Sequence, residues 1–585
     1  MALAGLMLTT NLANAGTGKI RVNQVGYFPT QEKTAAVQVP LSVFKSNTRW
    51  GAGADFQVIS VDTGKAVFSG KLMQANYYPF SKEAVRLADF SKLSTPGRYK
   101  IKIGDDESFE FSIGEKVYDR LADSALKMFY YFRCSSDVKE EFGGIYHRPF
   151  GIADDKVIIH ESAASKARPA GTIVSAPGGW FDAGDYNKYT VDSGISTFSL
   201  MALHEAQPEY TAKNDINIPE SKNGVPDVLD QAYWNLKWLE MMQDPSDGGV
   251  YHRLSAKNFG DMKTMPHQYT KKRYMQGKNT SAALNFAATL AQASRVFAPY
   301  EKQYPGFSKR CLEKSLKAYA WAKKNPRVRF TQPEGFGTGI YEIENYSFTD
   351  EFTWAATELF ITTLDKNFYK QTGLPFHDAD TPVWTHVGTL AYLSLIHNKD
   401  RVKDLVDMNE VRQRMTEYVD YLIFDSMQGT GVAYRMSNKR YEWGSNGFVS
   451  NQTMLALATY HLTGEQKYLN LGISNVDYLL GKNPLNHCFV TGFGSKSSVN
   501  VHQRLCAADG IEAPIPGILV GGPNPWEVIW DIGPVAYDSV LPALAHKDDL
   551  GSFSTNEAAI NWNAPLVYIT GYLNALTQKS TQGNK

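Results

Sequence analysis

Cysteine is scarce: Cys134, Cys311, Cys488 and Cys506 are the only four in 585 residues. So few thiols make no disulfide framework, even in an oxidising compartment. Cys488 and Cys506 could pair; buried thiols are the alternative. No CxxC occurs, so a thiolate zinc site has no local support. An excess of one charge is missing too, with 60 Lys plus Arg against 60 Asp plus Glu. Nucleic-acid and anionic-membrane partners need a basic field, so neither is expected. No run approaches the roughly 18 apolar residues of a membrane span. Short repeats and low-complexity tracts are absent. The 43% hydrophobic content excludes disorder for most of the chain. Aromatics are plentiful, with 32 Tyr, 30 Phe and 11 Trp. They suit sugar stacking and core packing alike.

Residues 1–15, MALAGLMLTTNLANA, read as a secretory signal peptide, with an apolar stretch and an Ala13-Asn14-Ala15 cleavage site. The basic residue that usually precedes such a stretch is missing. An upstream start or a plain disordered terminus are the alternatives. No Cys follows the site, so no lipid anchor is expected, and the protein is placed outside the cell or in a periplasm.

The remainder is read as multidomain. Residues 17–114 predict a small all-β unit with strands near 19–27, 33–40, 55–63, 65–73, 83–88, 97–103 and 107–113. Tyr99, Ile101 and Ile103 alternate with Arg98, Lys100 and Lys102, the period of a strand buried on one face. About seven short strands suggest an immunoglobulin-like β-sandwich. From 115 to 578 the period becomes helical. Leu229, Ala232, Leu236 and Leu239 line one helix face behind Pro226 and Asp227. The Ala-rich stretch 280–297 predicts close packing. Roughly eleven such segments, near 116–132, 189–206, 226–243, 280–297, 308–324, 351–364, 384–398, 408–426, 448–462, 465–480 and 556–577, predict a large all-α unit with almost no strands. Residues 579–585 read as a tail. Long Gly- and Pro-rich loops at 164–185, 244–279, 325–350 and 482–535 are where sites are expected.

Three stretches carry chemistry. In PGGWFDAGDYNKY (177–189), Asp182 and Asp185 flank a glycine just ahead of a helix. Helix amides favour anions, so both can stay ionised and together hold and deprotonate a water. An N-cap plus a turn aspartate fits the same spacing. In STNEAAINWNA (554–564), Glu557 is expected in a helix's first turn among apolar neighbours, where burial would keep it protonated as a general acid. A capping-box glutamate is the alternative. In NVHQR (500–504), His502 and Arg504 follow Gly492 and Gly494 and could donate to sugar hydroxyls or to the aspartates. A loop salt bridge would use the same residues.

Together these stretches resemble glycoside hydrolase family 9, in the subgroup with an N-terminal immunoglobulin-like domain. IRVNQVGY (20–27), GGWFDAGDYNKY (178–189), NGVPDVLDQAYWNLKWLEMMQ (223–243), GGVYHRL (248–254), WGSNG (443–447), DYLLGKNPL (477–485) and TNEAAINWNAPLVY (555–568) run in family order over nearly the whole chain. The resemblance implies an (α/α)6 barrel with an open cleft that hydrolyses β-1,4-glucans, such as cellulose, soluble glucans or cello-oligosaccharides, with inversion. It implies Asp185 as general base, Asp182 as the residue positioning the water and Glu557 as general acid. An inverting pair needs carboxyls roughly 6.5–9.5 Å apart. His502 and Arg504 would contact sugar beside the cleaved bond, but Gln503 stands where the family has a second His. Trp562 stands where many relatives have Tyr.

Trp180, Trp354, Trp384 and Trp443 lie near motif segments and could stack on sugar; each also reads as core. His252 could line the cleft. Relatives often bind calcium beside an Asp-Glu pair before a Trp, which Asp350 and Glu351 match ahead of Trp354. First-turn helix charges are the alternative. Cys134 matches the first ligand of a zinc site found in some relatives, but no second Cys lies between His147 and His160, which argues against zinc. No cellulose-binding module is recognised after the barrel, so soluble glucan is the expected partner, and a monomer the expected state. An endo-acting enzyme is expected. An exo-acting β-glucosidase, cellobiohydrolase or glucosaminidase on the same fold is one rival. A non-catalytic glycan-binding protein and a structural protein built around the sandwich are the others.

Overall fold

The computed structural model describes residues 18–41, 53–342, 347–374 and 377–583. The proposed signal peptide lies outside them. Two β-sheets form the N-terminal unit. One orders Ile20–Arg21, Thr34–Val39, Glu83–Asp89 and Asn76–Tyr78. The other orders Gly26–Tyr27, Phe111–Ile113, Gly97–Ile103, Asp55–Ser60 and Ala66–Lys71, with Asp106–Glu107 on Gly97–Ile103. The alternating face of Tyr99, Ile101 and Ile103 points inward, onto Val37, Phe56, Phe90 and Phe111. Two departures from the sequence reading have local causes. The single strand expected at 19–27 is two strands in different sheets, because the Asn23 side chain accepts from the amides of Val25 and Gly26 and bends the chain. Asn76–Tyr78 was not foreseen; three residues are too few to show a period.

All eleven long helices expected are present among the described residues. Six of them, Thr190–Ala206, Thr280–Phe297, Thr349–Thr363, Leu390–His397, Ser445–Thr463 and Ile560–Gly583, each pack on the next, and the last packs on the first. These are buried nearly all round, which explains their Ala, Ser and Thr content: small residues let helix backbones approach. Asn279 caps Thr280–Phe297 by accepting from the Ala282 amide at 3.3 Å. Asp119–Tyr131, Asp227–Met241, Phe307–Lys324, Met408–Gln428 and Gln466–Leu479 pack outside this ring. The Leu229, Ala232, Leu236 and Leu239 stripe of one outer helix is fully buried. The last helix runs to Gly583, so the expected tail begins as helix.

The helical unit is not free of strands. Ile173–Val174, Val157–Ile159, Tyr274–Lys278, Tyr251–Ser255 and Lys188–Tyr189 form a five-stranded sheet in that order. Tyr251–Ser255 is buried along its whole length, so it carries no period-two signal. All four cysteines are free thiols, so Cys488 and Cys506 do not pair.

Candidate active site

The turn Asp182–Tyr189 leads into the inner helix Thr190–Ala206. Its end, Lys188–Tyr189, is a sheet strand paired with Arg253 and Leu254. Beneath it, Lys188 Nζ lies 2.7 Å from Asp154 Oδ2 and Arg273 Nε 3.1 Å from Asp154 Oδ1, all buried. Arg273 also donates to the Tyr186 carbonyl at 2.6 Å, and Lys188 to the Gly178 carbonyl at 2.8 Å. A charge buried this deeply persists only when its hydrogen bonds are filled, as here. Two distant segments clamp the turn from the other side. Gln503 donates to the Ala183 carbonyl at 3.3 Å, the Arg504 amide to the Gly184 carbonyl at 3.3 Å, and the Ile560 amide to the Asp182 carbonyl at 2.8 Å. Gly184 has to be glycine: a Cβ there would stand 2.7 Å from His502 and 2.9 Å from Glu557 Oε1.

Glu557 is not in a helix's first turn. It sits in an extended link, φ −74° and ψ 151°, between the short turn Phe553–Asn556 and the helix Ile560–Gly583. The Gly184 amide donates to its Oε1 at 3.1 Å. Burial of the carboxyl, and then the charge of Asp185, push its pKa up to about 8, so it holds a proton at neutral pH. Asp185 accepts from the Asn187 amide at 3.0 Å and from Asn187 Nδ2 at 2.7 Å, with Tyr189 Oη 3.5 Å away.

Asp182 differs from the expectation of two ionised aspartates. It is buried and takes a hydrogen bond from Tyr341 Oη at 3.0 Å. Burial first, then the charges of Asp192 and Asp185, hold its carboxyl well above the usual carboxylate range. Asp192, fully buried in the first turn of helix Thr190–Ala206 with neither carboxyl oxygen hydrogen-bonded, is pushed by burial to about 7. Buried carboxyls that raise each other's pKa resist ionising together, so the pair holds a proton at neutral pH.

His502 is neutral: burial lowers its pKa to about 4, and Nδ1 donates to the Leu550 carbonyl at 2.7 Å. Arg504 donates to the carbonyls of Gly184 and Gly260, the latter at 2.8 Å. Its role in this structure is to brace the turn, not to reach the aspartates or form a loop salt bridge.

A cavity of about 200 Å³ opens over this arrangement, lined by Asp185, Tyr189, Phe259, Tyr341, Trp384 and Glu557 among others. A second of about 200 Å³ reaches Glu442 and Asn451. The two share Trp384, Trp443, Asn561 and Trp562, so they form one cleft. Of the aromatics singled out from the sequence, Trp384, Trp443 and Trp562 face it. Trp180 and Trp354 do not: both are fully buried, Trp180 against Phe129 and Trp354 against Phe198, and belong to the core. His252 is also fully buried, stacked on Phe330 and bonded to the Ile340 carbonyl, one layer behind the cleft wall. Tyr341, Asp192, Phe259 and Asn561 were missed. Asp192 reads in sequence as an ordinary first-turn aspartate, and Tyr341 lies in a loop without period.

Residues 118–570 match the glycosyl hydrolase family 9. The chain belongs to this family. Residues 15–108 match the cellulase N-terminal ig-like domain. The chain is 39% identical over 576 residues to a xyloglucan-specific endo-beta-1,4-glucanase of Bacteroides ovatus, covering 96% of this chain and 95% of that one. It is 29% identical to endoglucanase D of Acetivibrio thermocellus, covering 95% and 83%. A solved family 9 structure from Bacteroides ovatus superposes with a TM-score of 0.86 at 37% identity, covering 96% of this chain and 99% of that one.

In this family 9 chain the Asp350 and Glu351 pair opens the inner helix Thr349–Thr363. Glu351 is buried with Oε2 lacking a hydrogen-bond partner, and Asp350 Oδ2 accepts from the Val387 amide at 2.9 Å. An orphaned carboxylate oxygen beside a second carboxylate fits the hard-oxygen chemistry of calcium. No group of three His, Cys, Asp or Glu suited to a metal occurs among the described residues, so further ligands would be carbonyls or water. The Cys134 thiol lies 3.6 Å from Asp154 Oδ2, in the buried cluster whose cations are Lys188 and Arg273.

Proposed function

We propose that this protein is an endo-acting, inverting β-1,4-glucanase built on an (α/α)6 barrel. The closed order of six inner helices with others outside supports the barrel. One observation carries the chemistry. A carboxylic acid that keeps its proton to about pH 8, Glu557, shares the cleft with Asp185, whose oxygens are oriented by Asn187. Glu557 gives its proton to the glycosidic oxygen as the bond breaks. Asp185 takes a proton from a water that attacks the anomeric carbon from the opposite face. Asp182, beside Asp192 and tied to Tyr341, fixes the turn that presents Asp185. Trp384, Trp443 and Trp562 offer faces to the sugar rings.

The substrate is a β-1,4-glucan, and the xyloglucan-specific relative makes branched soluble glucan the first polymer to try. The enzyme acts as a secreted or periplasmic monomer. No described helix is long and apolar enough to cross a membrane. The sandwich boundary near residue 114 is part of the same reading. Calcium at Asp350 and Glu351 is a structural component of it, and chelation should lower Tm, with recovery on adding calcium but not magnesium. An unchanged Tm would remove the metal. The reading itself is tested by comparing viscosity loss with reducing-end release on a soluble β-1,4-glucan. Wild type should cut viscosity early. Glu557→Gln and Asp185→Asn should each lose about 10²–10⁴-fold in rate while keeping the fold. Reducing ends released without viscosity loss would mean exo action. Binding without turnover would mean a glycan-binding protein.

A further inference from the structure

Four large apolar side chains crowd one exposed turn. Trp526, Ile529, Trp530 and Ile532 are 67%, 76%, 68% and 60% exposed. Among the described tryptophans, the next most open is Trp443, at 46%, in the cleft. Exposed apolar groups gathered this way mark a contact surface.

The turn is held in shape. The Trp530 amide donates to the Glu527 carbonyl at 2.9 Å and the Trp526 amide to Asn524 Oδ1 at 3.0 Å. Asp531 accepts from the Ser554 amide and hydroxyl, both at 2.9 Å. The Ile532 amide donates to the Gly551 carbonyl at 2.9 Å. A preset surface loses little entropy on binding.

Its supports are cleft elements. Residues 551–554, on which the turn rests, include Phe553, whose ring meets Trp443 at 5.7 Å and His502 at 6.0 Å. At the other end of the loop, the Pro523 carbonyl accepts from Ser445 Oγ at 2.9 Å, two residues from Trp443. The turn that carries the apolar side chains is therefore anchored on elements of the cleft wall.

Charge selects the occupant. Residues 523–540 contain Glu527, Asp531 and Asp538 and no Lys or Arg. Asp531 is consumed by Ser554, and Asp538 pairs with Lys547 at 3.2 Å. The loop brings no cation of its own and Lys547 beside it is paired with Asp538, so an anionic lipid surface or a nucleic acid finds no free positive charge in residues 523–540. A neutral polysaccharide needs none, and the C–H faces of its rings suit indoles.

We propose that Trp526, Ile529, Trp530 and Ile532 form a docking surface for a neutral β-glucan polymer, outside the catalytic cleft and anchored on its wall. This rests on the glucanase reading, and the test separates the two. The variant Trp526→Ala/Trp530→Ala is compared with wild type for cellohexaose hydrolysis and for retardation in gels containing soluble β-glucan, with Glu557→Gln as the background for the gels. Expected are unchanged kcat/KM on cellohexaose and about tenfold weaker polymer binding. Trp530→Ser alone should give an intermediate loss, and serves if the double variant misfolds. Unchanged polymer binding overturns the proposal. So does a change in oligomeric state by sedimentation, which would assign the surface to a second copy, or loss of binding to anionic vesicles. Failure of wild type to cleave cellohexaose would instead overturn the glucanase reading.

Discussion

A carboxylic acid keeps its proton near neutral pH when a wall excludes water from it, and more so when a like charge lies close by. Glu557 has both, from the cleft wall and Asp185. Its ionisation should therefore set the alkaline limb of kcat/KM, with activity lost as pH rises through about 8. The Asp182 and Asp192 pair has the same sign. Its pKa values are higher in the folded state than in the unfolded chain, so the folded state binds more protons between roughly pH 4 and 7. Stability is lost as pH rises through that window. Asp192→Asn removes one carboxyl of the pair, and its Tm gain over wild type should grow from pH 4 to pH 8. The corresponding gain in unfolding free energy should reach a few kcal/mol at most, since one pKa unit is worth about 1.4 kcal/mol. A pH-independent difference would contradict a proton held by the pair. Asp185 and Glu557 were legible in the sequence because their motifs are. Asp192 was not, because a first-turn aspartate normally answers to the helix dipole and only the fold brings it to Asp182.

At the scale of elements, the site sits where loops enter the inner helices. Asp182 and Asp185 precede Thr190–Ala206, Tyr341 precedes Thr349–Thr363, Trp384 precedes Leu390–His397, Trp443 precedes Ser445–Thr463 and Glu557 precedes Ile560–Gly583. Helical period located these helices well, yet it could not say which tryptophans face the cleft. Trp180 and Trp443 sit in equally strong motifs, and only packing sends one inward. The platform under Trp562 depends on helix Ser445–Thr463, where a Cβ on Gly447 would come within 2.4 Å of the indole. Gly447→Ala should displace Trp562 and raise KM on cellohexaose about tenfold with a smaller effect on kcat, as loss of ground-state binding does. An unchanged KM would remove Trp562 from the binding surface. Short strands such as Tyr251–Ser255 escaped the sequence because complete burial erases alternation.

For the whole molecule, the sandwich and the helical unit meet through buried polar contacts. Asn23 donates to Tyr118 Oη at 2.7 Å and to Asp477 Oδ1 at 2.9 Å, and Lys482 reaches Asp477 at 3.3 Å and Thr34 at 3.1 Å. Arg21 pairs with Glu83 at 2.8 Å, and Tyr434 of the helical unit donates to Glu83 at 2.6 Å. Glu83→Ala would leave Arg21 buried without its partner. It should cost about 3–5 kcal/mol and lower Tm for sandwich and helical unit together, as calorimetry would show. Two transitions moving independently would mean the units are not coupled. The two-unit plan was visible in the change of period after residue 114. The closed ring was implied only by the family resemblance, because its closing contact joins helices that begin at residues 190 and 560 and no local pattern encodes so long a separation.

The most direct test follows the first product anomer released from cellohexaose by proton NMR, for wild type and for Glu557→Gln. The account predicts the α-anomer from wild type at early times and no product from the variant on that timescale. A β-anomer formed first, or a variant as active as wild type, would contradict the assignment of Asp185 and Glu557 as an inverting pair.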